Sequence, residues 1–149
     1  MAIFCQASGF KALERKLQAL KTLTTNPRID RALGQGATRM QAQIKLLTPV
    51  DTGNLRDKIV WNHVKMMEYT IETNVEYAIF VEFGTGMLGD PAVPHTSKDH
   101  WTYYSEKLQQ FVTTHGQEPA SMFTIGFSMT YKQVFDIVRA EVHAVIRDA

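Results

Sequence analysis

The stretch Thr48-Pro49-Val50-Asp51-Thr52-Gly53-Asn54-Leu55-Arg56 constrains this chain more than any other. Pro49 cannot continue a helix, and it drives Thr48 towards an extended backbone. Asp51 can accept a hydrogen bond from the backbone two residues on, and Gly53 reaches a positive φ without steric cost. Helical periodicity lies before this break and strand-like alternation after it. Such a switch marks a boundary between helix-forming and strand-forming chain. A second stretch, Tyr77-Ala78-Ile79-Phe80-Val81-Glu82-Phe83-Gly84-Thr85, is short and apolar around one acid.

Upstream of the break the spacing predicts a pair of helices. Ser8 reads as the N-cap of the first, with Phe10, Leu13, Leu17 and Leu20 on one stripe. Asn26-Pro27 is a cap followed by proline at the first helical position. From Pro27 to Leu47, Ile29, Leu33, Ala37, Met40, Ile44 and Leu47 gather in one arc, opposite Arg28, Arg31 and Arg39. Gly34 and Gly36 cost about 1 kcal/mol each relative to Ala, so a kink or a close helix contact is expected there. The arginine face has two readings: a solvated surface, or the lining of a DNA channel making sequence-independent phosphate contacts.

Downstream, residues 55–73 read as a hairpin reversing at Lys65-Met66-Met67, with Tyr69 and Ile71 on one face and His63 alone on a strand. Residues 77–83 read as a helical turn ended by Gly84. In that turn Tyr77, Phe80, Val81 and Phe83 pack inward, while Glu82 stays near the surface or pairs with a base. An extended loop follows at about 84–100, rich in Gly, Pro and small polar residues. Trp101–Tyr104 and Leu108–Thr113 form a second strand pair. Ser121 caps a closing helix that reaches nearly to Ala149. Its aromatic face, with Phe123, Phe127, Tyr131 and Phe135, should make it the main lid on the sheet. The 149 residues form one domain.

Several chemistries are excluded. No run of 18 apolar residues exists to span a membrane. The N-terminus lacks the basic segment and apolar core of a signal peptide, so synthesis in the cytoplasm is expected. One cysteine, Cys5, allows neither an internal disulfide nor a cysteine zinc cage. Asp90, His95, Asp99 and His100 raise the alternative of a small metal-dependent hydrolase, but their spacing fits no ligand pattern. Gly84-Thr85-Gly86 with Gly89 is not a phosphate loop, because no Gly-Lys-Ser/Thr follows. Neither a cofactor nor a resident metal is expected. Charge is unevenly spread: residues 1–65 hold eleven bases against four acids, and the remainder five against eleven. Opposite-sign halves suit head-to-tail association between copies, a basic face turned to nucleic acid, or simply two solvated faces.

Four features in this order resemble the tail-completion (neck) family of tailed bacteriophages, the gene-product-ten-like proteins. They are the N-terminal helix pair, Pro-Val-Asp-Thr-Gly-Asn-Leu-Arg at 49–56, Tyr-Ala-Ile-Phe-Val-Glu-Phe-Gly-Thr at 77–85, and a closing helix after Gly116-Gln117-Glu118-Pro119-Ala120. Pro119-Ala120-Ser121-Met122-Phe123 is close to the family's pattern, with Phe-Met inverted. The resemblance implies an α+β domain, a small antiparallel β-sheet packed against long amphipathic helices, and a non-enzymatic virion protein forming a homo-oligomeric ring (hexamer or dodecamer) at the head–tail junction, through which DNA passes. A tail-terminator role in the same connector is the variant reading. Implied partners are adjacent neck, head-completion and tail-terminator or tail-tube proteins, with non-specific contact to DNA and none to membrane. No catalytic residue is carried over. Pro49, Asp51, Thr52, Gly53, Arg56, Glu82, Phe83 and Gly84 become turn or subunit-interface positions, Arg56 and Glu82 being the polar contacts between subunits.

Overall fold

The computed structural model describes residues 10–96 and 98–149. The cap expected of Ser8 lies outside them. Among the described residues the helices are α1 (Phe10–Lys21), α2 (Pro27–Leu47), α3 (Asn54–Asp57), α4 (Ala78–Phe83) and α5 (Met122–Arg147). The strands are β1 (Val60–Lys65), β2 (Glu68–Glu72), β3 (Thr85–Gly86), β4 (Trp101–Ser105), β5 (Gln110–Thr114) and β6 (Gly116–Gln117). They pair antiparallel as β1–β2, β3–β6 and β4–β5. The class is α+β, as expected, but the sheet is divided into three separate two-stranded ladders.

Helix α2 keeps its expected bounds because both ends are marked locally. Asn26 Oδ1 accepts from the Arg28 amide at 2.9 Å, ahead of Pro27 at the first turn. Thr48 is extended (φ −70, ψ 122) before Pro49, and its buried hydroxyl donates to the Ile44 carbonyl at 2.7 Å.

The dominant packing joins α2 to α5, and small residues permit it. A Cβ on Gly36 would meet Val134 Cγ1 at 2.5 Å, and one on Gly126 would meet Ile44 Cγ1 at 2.6 Å. The close contact expected near Gly34 and Gly36 is therefore present, with Gly34 facing the Tyr69 ring instead of α5. This crossing turns Gly126 and Thr130 of α5 inward and leaves Phe127, Tyr131 and Phe135 exposed. The expected lid over a sheet is thus replaced by a helix pair with its aromatic ridge in solvent.

The core lies where the lower half of α2 meets the start of α5, around Ile44, Leu55, Ile59, Val75, Ala78 and Met122. Ile44, Ile59 and Met122 are essentially sealed, each contributing about 1.5–3 kcal/mol by burial. Leu55 belongs to the short helix α3 and not to the hairpin expected from residue 55, because Gly53 (φ 85) starts a helical turn there.

The β1–β2 hairpin reverses at Met66-Met67 without a Gly, and Met67 takes φ 63. A residue of α2 fixes this turn: Asp30 Oδ1 accepts from the Met67 amide at 2.7 Å. The same carboxylate lies 3.3 Å from His63 Nε2 and receives the Tyr69 hydroxyl at 3.3 Å. His63 also stacks on Tyr69, with centroids 4.6 Å apart, so it does not stand alone. Hairpin β4–β5 carries a Thr102–Thr113 hydroxyl pair at 2.9 Å and an edge-on Tyr104–Phe111 contact at 5.3 Å.

Candidate functional site

The two motif stretches meet in space. Asn54 Nδ2 donates to the Tyr77 hydroxyl at 3.3 Å. Residues 49–55 line one side of an open cleft of about 610 Å³, with Tyr77, Val81 and Gln117 on the other. Pro49, Val50, Asp51 and Thr52 are exposed, while Leu55 and Ala78 beneath them enter the core. Asp51 does not fold back on its own turn. Its Oδ1 receives Lys107 Nζ at 2.8 Å from the tip of β4–β5, while Thr52 Oγ1 takes the local bond from the Asn54 amide at 3.4 Å. Arg56 is exposed, and its one ion pair among the described residues is with Asp57 at 3.9 Å.

Beneath the cleft, α4 and α5 cap each other. The Ala120 and Ser121 amides donate to the Val81 and Glu82 carbonyls at 2.9 and 3.0 Å, and the Asp90 amide to the Phe83 carbonyl at 2.7 Å. In the other direction the Glu82 carboxylate accepts the Phe123 amide at 2.9 Å, the Thr124 amide at 3.0 Å and the Thr124 hydroxyl at 2.8 Å. Glu82 is 5% exposed. The surface position and ion pair expected of it are both corrected: the α5 amides supply what a base would have supplied. Its polar atoms are bonded within the chain. Tyr77 and Phe80, expected inside, are exposed instead. Ser121, expected to cap α5, sits at φ 48 and makes no side-chain cap bond, because Glu82 occupies that role.

Gly84 closes α4 at φ 74, and a Cβ there would lie 2.4 Å from the Gln117 carbonyl oxygen, so β3 and β6 approach as only glycine allows. Phe83 is half-buried beside it. The loop after it is ordered by its own backbone. His95 Nδ1 lies 2.6 Å from the Val93 carbonyl oxygen and Nε2 3.0 Å from that of Gly86. Asp90 accepts from the Ala92 amide, and Asp99 neighbours His100. Asp90, His95, Asp99 and His100 do not converge, and among the described residues no three His, Cys, Asp or Glu side chains could hold a metal ion.

The arginine face divides. Arg28 reaches α5, with Nε 2.6 Å from Glu141 and Nη1 3.0 Å from Asp148, and these bonds hold the Asp148 carboxyl below its ordinary range. Arg31 and Arg39 are exposed and make no ion pair among the described residues. No described helix is long and apolar enough to cross a membrane.

The accessible surface is 10913 Å², against roughly 7,700 Å² for a compact monomer of this mass. The ten undescribed residues, even counted as unfolded chain, account for roughly 1,600 Å² of that difference. The rest exceeds what a compact monomer of this mass exposes. Much of it is apolar: Phe127, Tyr131 and Phe135 on α5, Leu13 and Leu17 on α1, and Phe111 on β5 all stand exposed.

Residues 11–84 match the family model described as "Bacteriophage HK97-gp10, putative tail-component". This segment of the chain is similar to the HK97-gp10-like family. The matched span runs from α1 through both motif stretches to Gly84, and stops before β4–β5 and α5. No curated protein and no solved structure matches the chain.

Proposed function

We propose that this protein is a structural component of a tailed-phage virion that closes into a ring at the head–tail junction, with DNA passing through the lumen. The observation that carries this reading is the unburied surface of a chain similar to a tail-component family. A ring of heterologous contacts gives every subunit two different faces. A standard interface takes about 800 Å² from each partner, so two such faces need roughly the surplus left after the undescribed residues are set aside. The chain is made in the host cytoplasm and assembles with neighbouring neck, head-completion and tail-terminator or tail-tube proteins. Hexamers and dodecamers are the stoichiometries that match a portal-type axis. Exposed Arg31 and Arg39 suit non-specific contact with passing DNA, weak in the isolated subunit because a lumen must let DNA slide.

Imaging of intact particles tests the location, with density for this chain expected between capsid and tail. Light scattering tests the assembly, alone and with the neck partners. A strict monomer under both conditions, or particles without that density, would remove the proposal.

A further inference from the structure

The surplus surface has two parts that complement each other. One is a groove of about 510 Å³ between α2, β2 and α5, walled by Leu33, Met40, Ile71, Phe123, Phe127 and Val134. Its lining is mostly apolar, and Phe127 on its lip is 58% exposed, continuing into Tyr131 by a ring stack at 6.1 Å. The other is α1. Leu13, Leu17 and Leu20 form one stripe on this helix, yet each remains about half exposed. Its main tertiary packing within the chain is with α5, and twelve residues of helix are marginal in water without a packed face.

We infer that α1 of one copy lies in the α2–β2–α5 groove of the next. This rests on the ring reading and specifies which two faces make the ring contact. Three features favour a second copy as the occupant. Leucines at 13, 17 and 20 are anchors at the spacing by which an amphipathic helix fills a groove. Charge is complementary: α1 carries Lys11, Arg15, Lys16 and Lys21 against Glu14 alone, while the groove wall carries Glu68 of β2, whose carboxylate also meets Lys65 at 3.0 Å. The two faces are built from different residues, so a contact that is not returned by the same neighbour is heterologous and propagates from copy to copy.

The test uses the full chain with its single cysteine removed (Cys5→Ser). Leu17→Cys and Phe127→Cys variants are purified separately, mixed and mildly oxidised. A disulfide-linked pair of chains should form at least tenfold more in the mixture than in either variant alone. Leu17→Glu, at a half-exposed position, should keep the circular dichroism of the parent and lose self-association. Leu17→Cys linking mainly to itself would overturn the inference in favour of α1–α1 pairing. So would closure within one chain when both cysteines are carried together, which would put a chain's own α1 in its groove. Absence of the mixed link from a sample that light scattering shows to be assembled would also overturn it, while leaving the ring to form through other faces. Absence of the link from a monomeric sample overturns it as well, and the ring reading then stands or falls by particle imaging.

Discussion

Removing the Glu82 carboxylate leaves two amides and a hydroxyl at the start of α5 without an acceptor in a site closed to water. Glu82→Ala should cost about 2–3 kcal/mol, read as a lower denaturation midpoint, and Glu82→Gln should cost less because one acceptor oxygen remains. Local sequence could not place this residue. A lone acid in an apolar run is most often exposed, and its partners lie some forty positions away. Asp30 poses the same difficulty. It is legible as a first-turn acid of α2, but nothing local shows that it sets a turn near residue 67. The Met67 amide foremost, then His63 and the Tyr69 hydroxyl, hold the Asp30 carboxyl below its ordinary value against the opposing effect of burial. Folding therefore lowers this pKa. The stability it supplies is complete above about pH 4 and is lost as pH falls through the lower, folded value. A thermal-unfolding series from pH 7 down to pH 3 should show that decline, and Asp30→Asn should flatten it.

At the scale of elements, the ends of α2, the turn at 49–53 and the stop at Gly84 were legible because proline, glycine and Asn caps act within a few residues. The face of α5 was not. Its aromatic stripe is the stronger periodic signal, yet the α2 crossing needs small residues, and Gly126 and Thr130 lie elsewhere on the helix. Gly126→Ala puts a methyl against Ile44, including its backbone. Overpacking of about 1–3 kcal/mol outweighs the gain of about 1 kcal/mol in helix propensity, so net destabilisation is expected by chemical denaturation. The grouping of the strands into three separate ladders is not legible for a related reason. Alternation identifies strands and their likeliest hairpin partners but carries no information about how hairpins join one another. The candidate site was half legible: the two motif stretches were found, but their meeting through Asn54 and Tyr77 was not, because that contact spans 23 positions.

For the whole molecule, the charge asymmetry and the family motifs pointed towards assembly, while the surplus surface became visible only with the chain folded. Phe135→Ser, at 62% exposure, should leave the unfolding midpoint of the monomer nearly unchanged and weaken self-association in light scattering. On the proposed ring reading, joint replacement of Arg31 and Arg39 by Gln should leave the oligomeric state in light scattering unchanged while reducing the salt dependence of duplex DNA binding. The mutual capping of α4 and α5 has an effect at this scale too. Two successive amides held by one carboxylate fix the rotation of a 26-residue helix about its own axis. Slipping that grip by a single residue would swing the exposed rings by about 100°. Glu82, buried beneath the surface, therefore acts as the index pin that decides which way those rings face.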